Sequence, residues 1–119
     1  MKTRVRYVVA YLAGYLSGNE SVSVYDHSQA RHCSMGGGCD ANSVSIYDER
    51  EACHITGTGN KGTFQLYHHG EKAHVTLELL GTKFNGYDHA SGTDFNGTVN
   101  ARNVMLYDSQ MATHYSYFV

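Results

Sequence analysis

Five times along the chain a tyrosine returns at nearly the same interval. Tyr25, Tyr47, Tyr67, Tyr87 and Tyr107 are separated by 22, 20, 20 and 20 residues. A period of this length marks one supersecondary unit used repeatedly, because so short a unit cannot bury its apolar face alone. The lines begin at Val22, Val44, Phe64, Phe84 and Val104, and open "VSVYDHSQARHCSM", "VSIYDEREACHITG", "FQLYHHGEKAHVTL", "FNGYDHASGTDFNG" and "VMLYDSQMATHYSY". Tyrosine is always fourth. The fifth place holds Asp26, Asp48, His68, Asp88 and Asp108, and the eleventh His32, His54, His74, Asp94 and His114. All eight histidines fall in the fifth, sixth and eleventh places. The Asp–His pairing is therefore a feature of the repeat before it is a candidate for chemistry.

Within each line the apolar residues alternate, which is the period of a strand with one buried face. Val44 and Ile46, Phe64 and Leu66, or Val104 and Leu106 point inward, so the tyrosines point out. A polar turn follows. In the second strand Val75, Leu77 and Leu79, or Tyr115, Tyr117 and Val119, return to the inner face. The longer first spacing lies in "GGGCDANS", a turn-like stretch where extra residues are tolerated.

Two all-β architectures hold such a unit. In a β-solenoid, like residues stack in parallel ladders about 4.8 Å apart; in an antiparallel hairpin array or barrel they recur on every second strand, about 9.6 Å apart. His68 replaces Asp between Asp48 and Asp88, and Asp94 replaces His between His74 and His114. Both exchanges separate like charges, which matters only when neighbouring lines touch. The expected fold is a short β-solenoid of five coils over residues 22–119, with the antiparallel array or barrel as the alternative. The pattern resembles small β-solenoids of about 20 residues per coil, a likeness of architecture that carries no activity. Residues 1–21 are expected to cap one end of the core. Tyr7, Tyr11 and Tyr15 have helical spacing there, while Leu12, Gly14 and Leu16 fit a strand.

Charge and cysteine content narrow the function. A net charge of −2 without a basic block argues against nucleic acid as a partner. The apolar run from Tyr7 to Leu16 is too short to span a bilayer, so no membrane is expected. Three cysteines at irregular spacing suggest reduced thiols and a cytoplasmic location. Export is the alternative, if residues 1–18 act as a signal.

The expected function is a non-catalytic module for binding or self-assembly. Its candidate surface is the tyrosine ladder Tyr25, Tyr47, Tyr67, Tyr87 and Tyr107, with Tyr115 and Tyr117, offered to a carbohydrate or protein ligand. The edge pairs Asp26–His32, Asp48–His54 and Asp108–His114 are read as turn staples in which a carboxylate orients an imidazole. The alternative is a divalent-metal site on His68, His74, Asp88 and Asp94, or a hydrolase or lyase, acting on carbohydrate, that uses the same edge as acid and base. The last line, "MATHYSYFV", is still strand-like when the sequence ends at Val119, and an unpaired edge invites another chain. A homodimer through this C-terminal coil is therefore expected.

Overall fold

Each line of the repeat folds as one hairpin. The computed structural model describes residues 1–119. Its elements are α1 (Thr3–Leu16), β1 (Ser23–Asp26), β2 (Arg31–Cys39), β3 (Ser43–Asp48), β4 (Cys53–Asn60), β5 (Thr63–His68), β6 (Ala73–Leu80), β7 (Lys83–Asp88), β8 (Thr93–Asn100), β9 (Asn103–Asp108) and β10 (Thr113–Phe118). Four-residue turns at 27–30, 49–52, 69–72, 89–92 and 109–112 join the strands within a line. Their last residue is left-handed in every case: Ala30, Ala52, Lys72 and Ala112 at φ 51–53°, and Gly92 at φ 70°. That conformation closes the turn and starts the returning strand beside the first.

Pairing is antiparallel throughout, with Tyr47 opposite His54 inside one hairpin and Thr56 opposite Tyr67 between hairpins. The chain therefore forms a meander rather than a stack of coils. The first and last strands meet through Tyr25–Phe118 and Asp26–Tyr117, closing a ten-stranded barrel. The solenoid expectation is corrected to its alternative. The physical reason lies in the turns, because a four-residue loop ending in a left-handed residue folds a strand back on its neighbour. Strand β10 is paired on both sides, so the open edge inferred at the end of the sequence does not exist.

The inward places fill as alternation predicts, with Val44, Ile46, Phe64, Leu66, Val75, Leu77, Val104 and Leu106 all buried. Curvature comes from glycines on the same face. A Cβ at Gly86 would stand 2.0 Å from the Thr76 carbonyl oxygen, and one at Gly97 2.1 Å from that of Met105. Only a residue without a side chain permits so tight a coil of the wall. The Phe95 ring lies over Gly86 and the Phe84 ring over Gly97, covering the gaps.

The N-terminal segment does not sit on one end of the core. It runs through the barrel as α1, with Val5 to Gly14 buried in unbroken succession. A helix that is apolar on every side needs a surround rather than a surface, and the closed wall supplies one. It enters beside the four-residue turns, where Arg4 donates to the Gly70 carbonyl, and ends at the other mouth, where Gly14 packs on Val119. Gly18 at φ 107° ends it, with Gly18 N–H donating to the Tyr15 carbonyl. No helix is long and apolar enough to cross a membrane.

Candidate functional site

With α1 filling the lumen, the chemistry sits in three places: the inner ring at the four-residue turns, the outer wall beside it, and the seam where the barrel closes. The ring is made by the fifth-place residues. Asp26, Asp48, His68, Asp88 and Asp108 share the inward parity of the core positions, and all are buried. Each caps its own turn. Asp26 Oδ1 accepts from Ser28 N–H at 2.9 Å, Asp48 Oδ1 from Arg50 N–H at 3.1 Å, Asp88 Oδ1 from Ala90 N–H at 3.1 Å and Asp108 Oδ1 from Gln110 N–H at 3.0 Å. His68 does the same with its ring, Nδ1 accepting from Glu71 N–H at 3.1 Å. The exchange of Asp for His in the third line thus preserves a cap, and needs no neighbouring charge to explain it.

The second oxygens of Asp48 and Asp108 meet the N-terminal end of the helix, where carboxylates are favoured, while Asp88 Oδ2 accepts from the Ser91 hydroxyl in its own turn. The Tyr7 hydroxyl donates to Asp48 Oδ2 at 2.5 Å, and Arg6 Nη1 lies 3.1 Å from Asp108 Oδ2. Burial first, and Asp48 second, push the Tyr7 hydroxyl far above the usual tyrosine range, so it serves as a fixed donor. Two ring atoms have no partner within the protein, Asp26 Oδ2 and His68 Nε2.

The edge pairs read from the sequence are not pairs. Asp26, Asp48 and Asp108 point into the barrel, while the registers set His32, His54 and His114 against the outward Tyr25, Tyr47 and Tyr107. The sheet itself separates each carboxylate from its imidazole. The same parity divides the candidate metal set, with His68 and Asp88 buried inside and His74 and Asp94 exposed outside. No three His, Cys, Asp or Glu residues gather closely enough to hold a metal ion.

Outside, the tyrosines do not stack on one another as a ladder. Antiparallel order inserts a histidine strand between successive tyrosine strands, so rings of the two kinds alternate. Tyr25–His32, Tyr47–His54, Tyr67–His74 and Tyr107–His114 have centroids 4.7–4.9 Å apart, and Asp94 takes the imidazole's place opposite Tyr87. His27 and His69 add a second edge contact to Tyr25 and Tyr67, and His89 gives Tyr87 its one ring contact, at 4.7–4.9 Å. His54–His69 and His74–His89, each 6.5 Å apart, carry the belt from one hairpin to the next. Away from this belt the outward places include Ser45, Thr56, Thr58, Gln65, Thr76, Asn85, Asn96 and Thr98, a mostly hydrogen-bonding wall rather than the continuous apolar band that faces lipid.

At the seam the two candidates from the last line part company. Tyr117 is inside and 1% exposed, so it belongs to the core. Burial raises its hydroxyl well above the ordinary tyrosine value. Tyr115 is half-buried, its ring 3.9 Å from the Arg6 guanidinium carbon. The exposed apolar groups here are ones the repeat did not single out, Met105 at 41% and Phe118 at 45%. Phe118 lies opposite Tyr25 across the seam, and Met105 lies diagonally from Phe118 across the β9–β10 pair. A cleft of about 610 Å³ runs beside them, lined by His27, Asn103, Met105 and Ser116 among others. The sequence carried a signal, since the second place of the line is Ser23, Ser45, Gln65 and Asn85 before it becomes Met105.

The three cysteines are free. Burial pushes Cys33 and Cys39 up to about 11, which leaves both as thiols at neutral pH rather than nucleophiles. Comparison with protein-family models, with curated proteins and with solved structures returns no match.

Proposed function

We propose that the protein is a non-catalytic binding module that works by self-association, and that the contact face is the seam of the barrel, β9, β10 and β1. One observation carries this reading: Phe118 and Met105, both more than two-fifths exposed, lie together with Tyr25 on one face of the wall, whereas the exposed Leu80 stands alone on β6. Large apolar and aromatic side chains gathered on one patch are the composition of an interface centre, whereas single exposed apolar residues are ordinary. The occupant is a second copy, joined about a two-fold axis that sets the patch against itself. The histidine and tyrosine belt borders the patch at Tyr25 and His27 and supplies its polar rim. The fifth-place acids act as turn caps, which supports a scaffold role for them rather than a catalytic one.

Sedimentation equilibrium at micromolar concentration tests the proposal. The wild-type chain is expected to sediment as a dimer, and the double variant Met105→Ser/Phe118→Ser as a monomer with an unchanged far-ultraviolet spectrum. A wild-type monomer, or a dimer indifferent to both substitutions, overturns it.

A further inference from the structure

The four-residue turns of the first two hairpins and the start of α1 enclose a cavity of about 300 Å³ on the inner-ring side of the barrel. Its wall includes Thr3, Tyr7, Asp26, Cys33 and Glu51, with four cationic side chains, Lys2, Arg4, Arg31 and Arg50. The chain as a whole has a net charge of −2, so this concentration of positive charge is local. Two of the cations are occupied. Arg4 is held by Glu51 at 3.2 Å and by Glu71, and Lys2 by Glu71 at 3.2 Å. Arg50 approaches only its chain neighbour Glu51, at 3.9 Å, and Arg31 makes no ion pair.

Against these exposed cations stands one fully buried acceptor. Asp26 is 0% exposed, Oδ1 is taken by the backbone and hydroxyl of Ser28, and Oδ2 has no partner. A buried carboxylate oxygen left unpaired is costly, and such atoms call for a donor. The Tyr117 hydroxyl opposite it is likewise unpartnered, and the other hydroxyl nearby, that of Tyr7, is taken by Asp48, so a molecule that enters the cavity can supply the donor. A bare metal ion is disfavoured by the neighbouring guanidinium groups, and the lining offers no aromatic face free to stack a nucleotide base. The small volume and the paired polarity, acceptor inside and cations at the mouth, describe a small molecule with a donor at one end and negative charge at the other.

We propose that this cavity is a binding site for a zwitterion of the amino-acid class, its ammonium group donating to Asp26 and its carboxylate held by Arg31 and Arg50. The site uses the inner face of β1 and the proposed contact patch its outer face, so the two proposals are tested by different residues and stand or fall independently. Nuclear magnetic resonance titration of the full chain tests it, with glycine, alanine, serine and aspartate each added alone, and with acetate and methylammonium as half-ligands. At least one amino acid is expected to give saturable shifts at the amides of Asp26, Arg31 and Arg50, with the half-ligands weaker by about tenfold or more. Asp26→Asn keeps an oxygen to cap the Ser28 amide and is expected to weaken binding by about tenfold, as is Arg31→Gln. Arg31 is exposed, so its variant decides the matter should Asp26→Asn fail to fold. Absence of saturable shifts with all four amino acids, equal binding of a half-ligand, or binding indifferent to the variants overturns the proposal and leaves a cavity filled by water alone.

Discussion

His68 is the one member of the inner ring that can change its charge near neutrality. Burial first, and the Arg4 charge second, lower its pKa in the folded protein. Its Nε2 has no partner, so a proton placed there would be buried without an acceptor. The unfolded chain therefore binds the proton first as pH falls. The stability from this residue is full above about 6.5, the ordinary histidine value, and is lost as pH falls from there toward the lowered value in the fold. The urea midpoint is expected to decline from about pH 7 to about pH 5, and His68→Asn, which keeps a cap for Glu71 N–H, to remove part of that slope. Tyr7 presents the opposite case, a neutral donor to a buried acid. Tyr7→Phe leaves Asp48 Oδ2 without that donor, and equilibrium unfolding should show a loss of about 2 kcal/mol. The inward parity of the fifth place was legible in the sequence, two positions beyond residues correctly assigned to the core. The rule that acids face water hid it, because the turn that would satisfy an inward acid is visible only once the hairpin is closed.

At the scale of single elements, the turns repay attention. Four of the five lines place an alanine or lysine where the backbone is left-handed, and the fourth places Gly92. A side chain in that conformation costs on the order of 1 kcal/mol that glycine avoids. Ala52→Gly is accordingly expected to raise stability by roughly 0.5–1 kcal/mol, and Gly92→Ala to lower it by a similar amount, both measured by chemical denaturation. The strands were legible almost residue by residue, since period-two alternation assigns a face wherever one side is buried. The helix was half legible. Tyr7, Tyr11 and Tyr15 showed its period, but Val8, Val9, Ala10 and Leu12 between them erased the polar side that a surface helix needs. That erasure was itself the sign of a helix wrapped on all sides. Element order was what the sequence withheld. A unit of twenty residues is the same length whether it winds into a coil or folds into a hairpin, and the spacing between like columns, which tells the two apart, is not written in the chain.

The whole molecule is held by a ring of pairings with one thin link. Most neighbouring strands share five or six residue pairs, whereas β1 and β10 share Tyr25–Phe118 and Asp26–Tyr117 alone. Local opening follows the fewest contacts, so amides of β1 and β10 are expected to exchange with deuterium before those of β4 to β8. Mass-spectrometric hydrogen exchange measures this directly, and uniform protection around the barrel would contradict it. The helix has a consequence of another kind. With its side chains an α-helix is about 10–12 Å across, while a barrel of eight strands holds side chains and little else. Each repeat contributes one hairpin, so adding or deleting a unit changes the circumference by two strands at once. Four hairpins would pinch the helix and six would leave it loose, which makes α1 a calliper for the repeat number. A chain built from like units can in principle be lengthened or shortened by whole units, yet here a miscounted product would not close properly around its own first sixteen residues. The helix thus sets the count at five through folding alone, without any one unit carrying a special role.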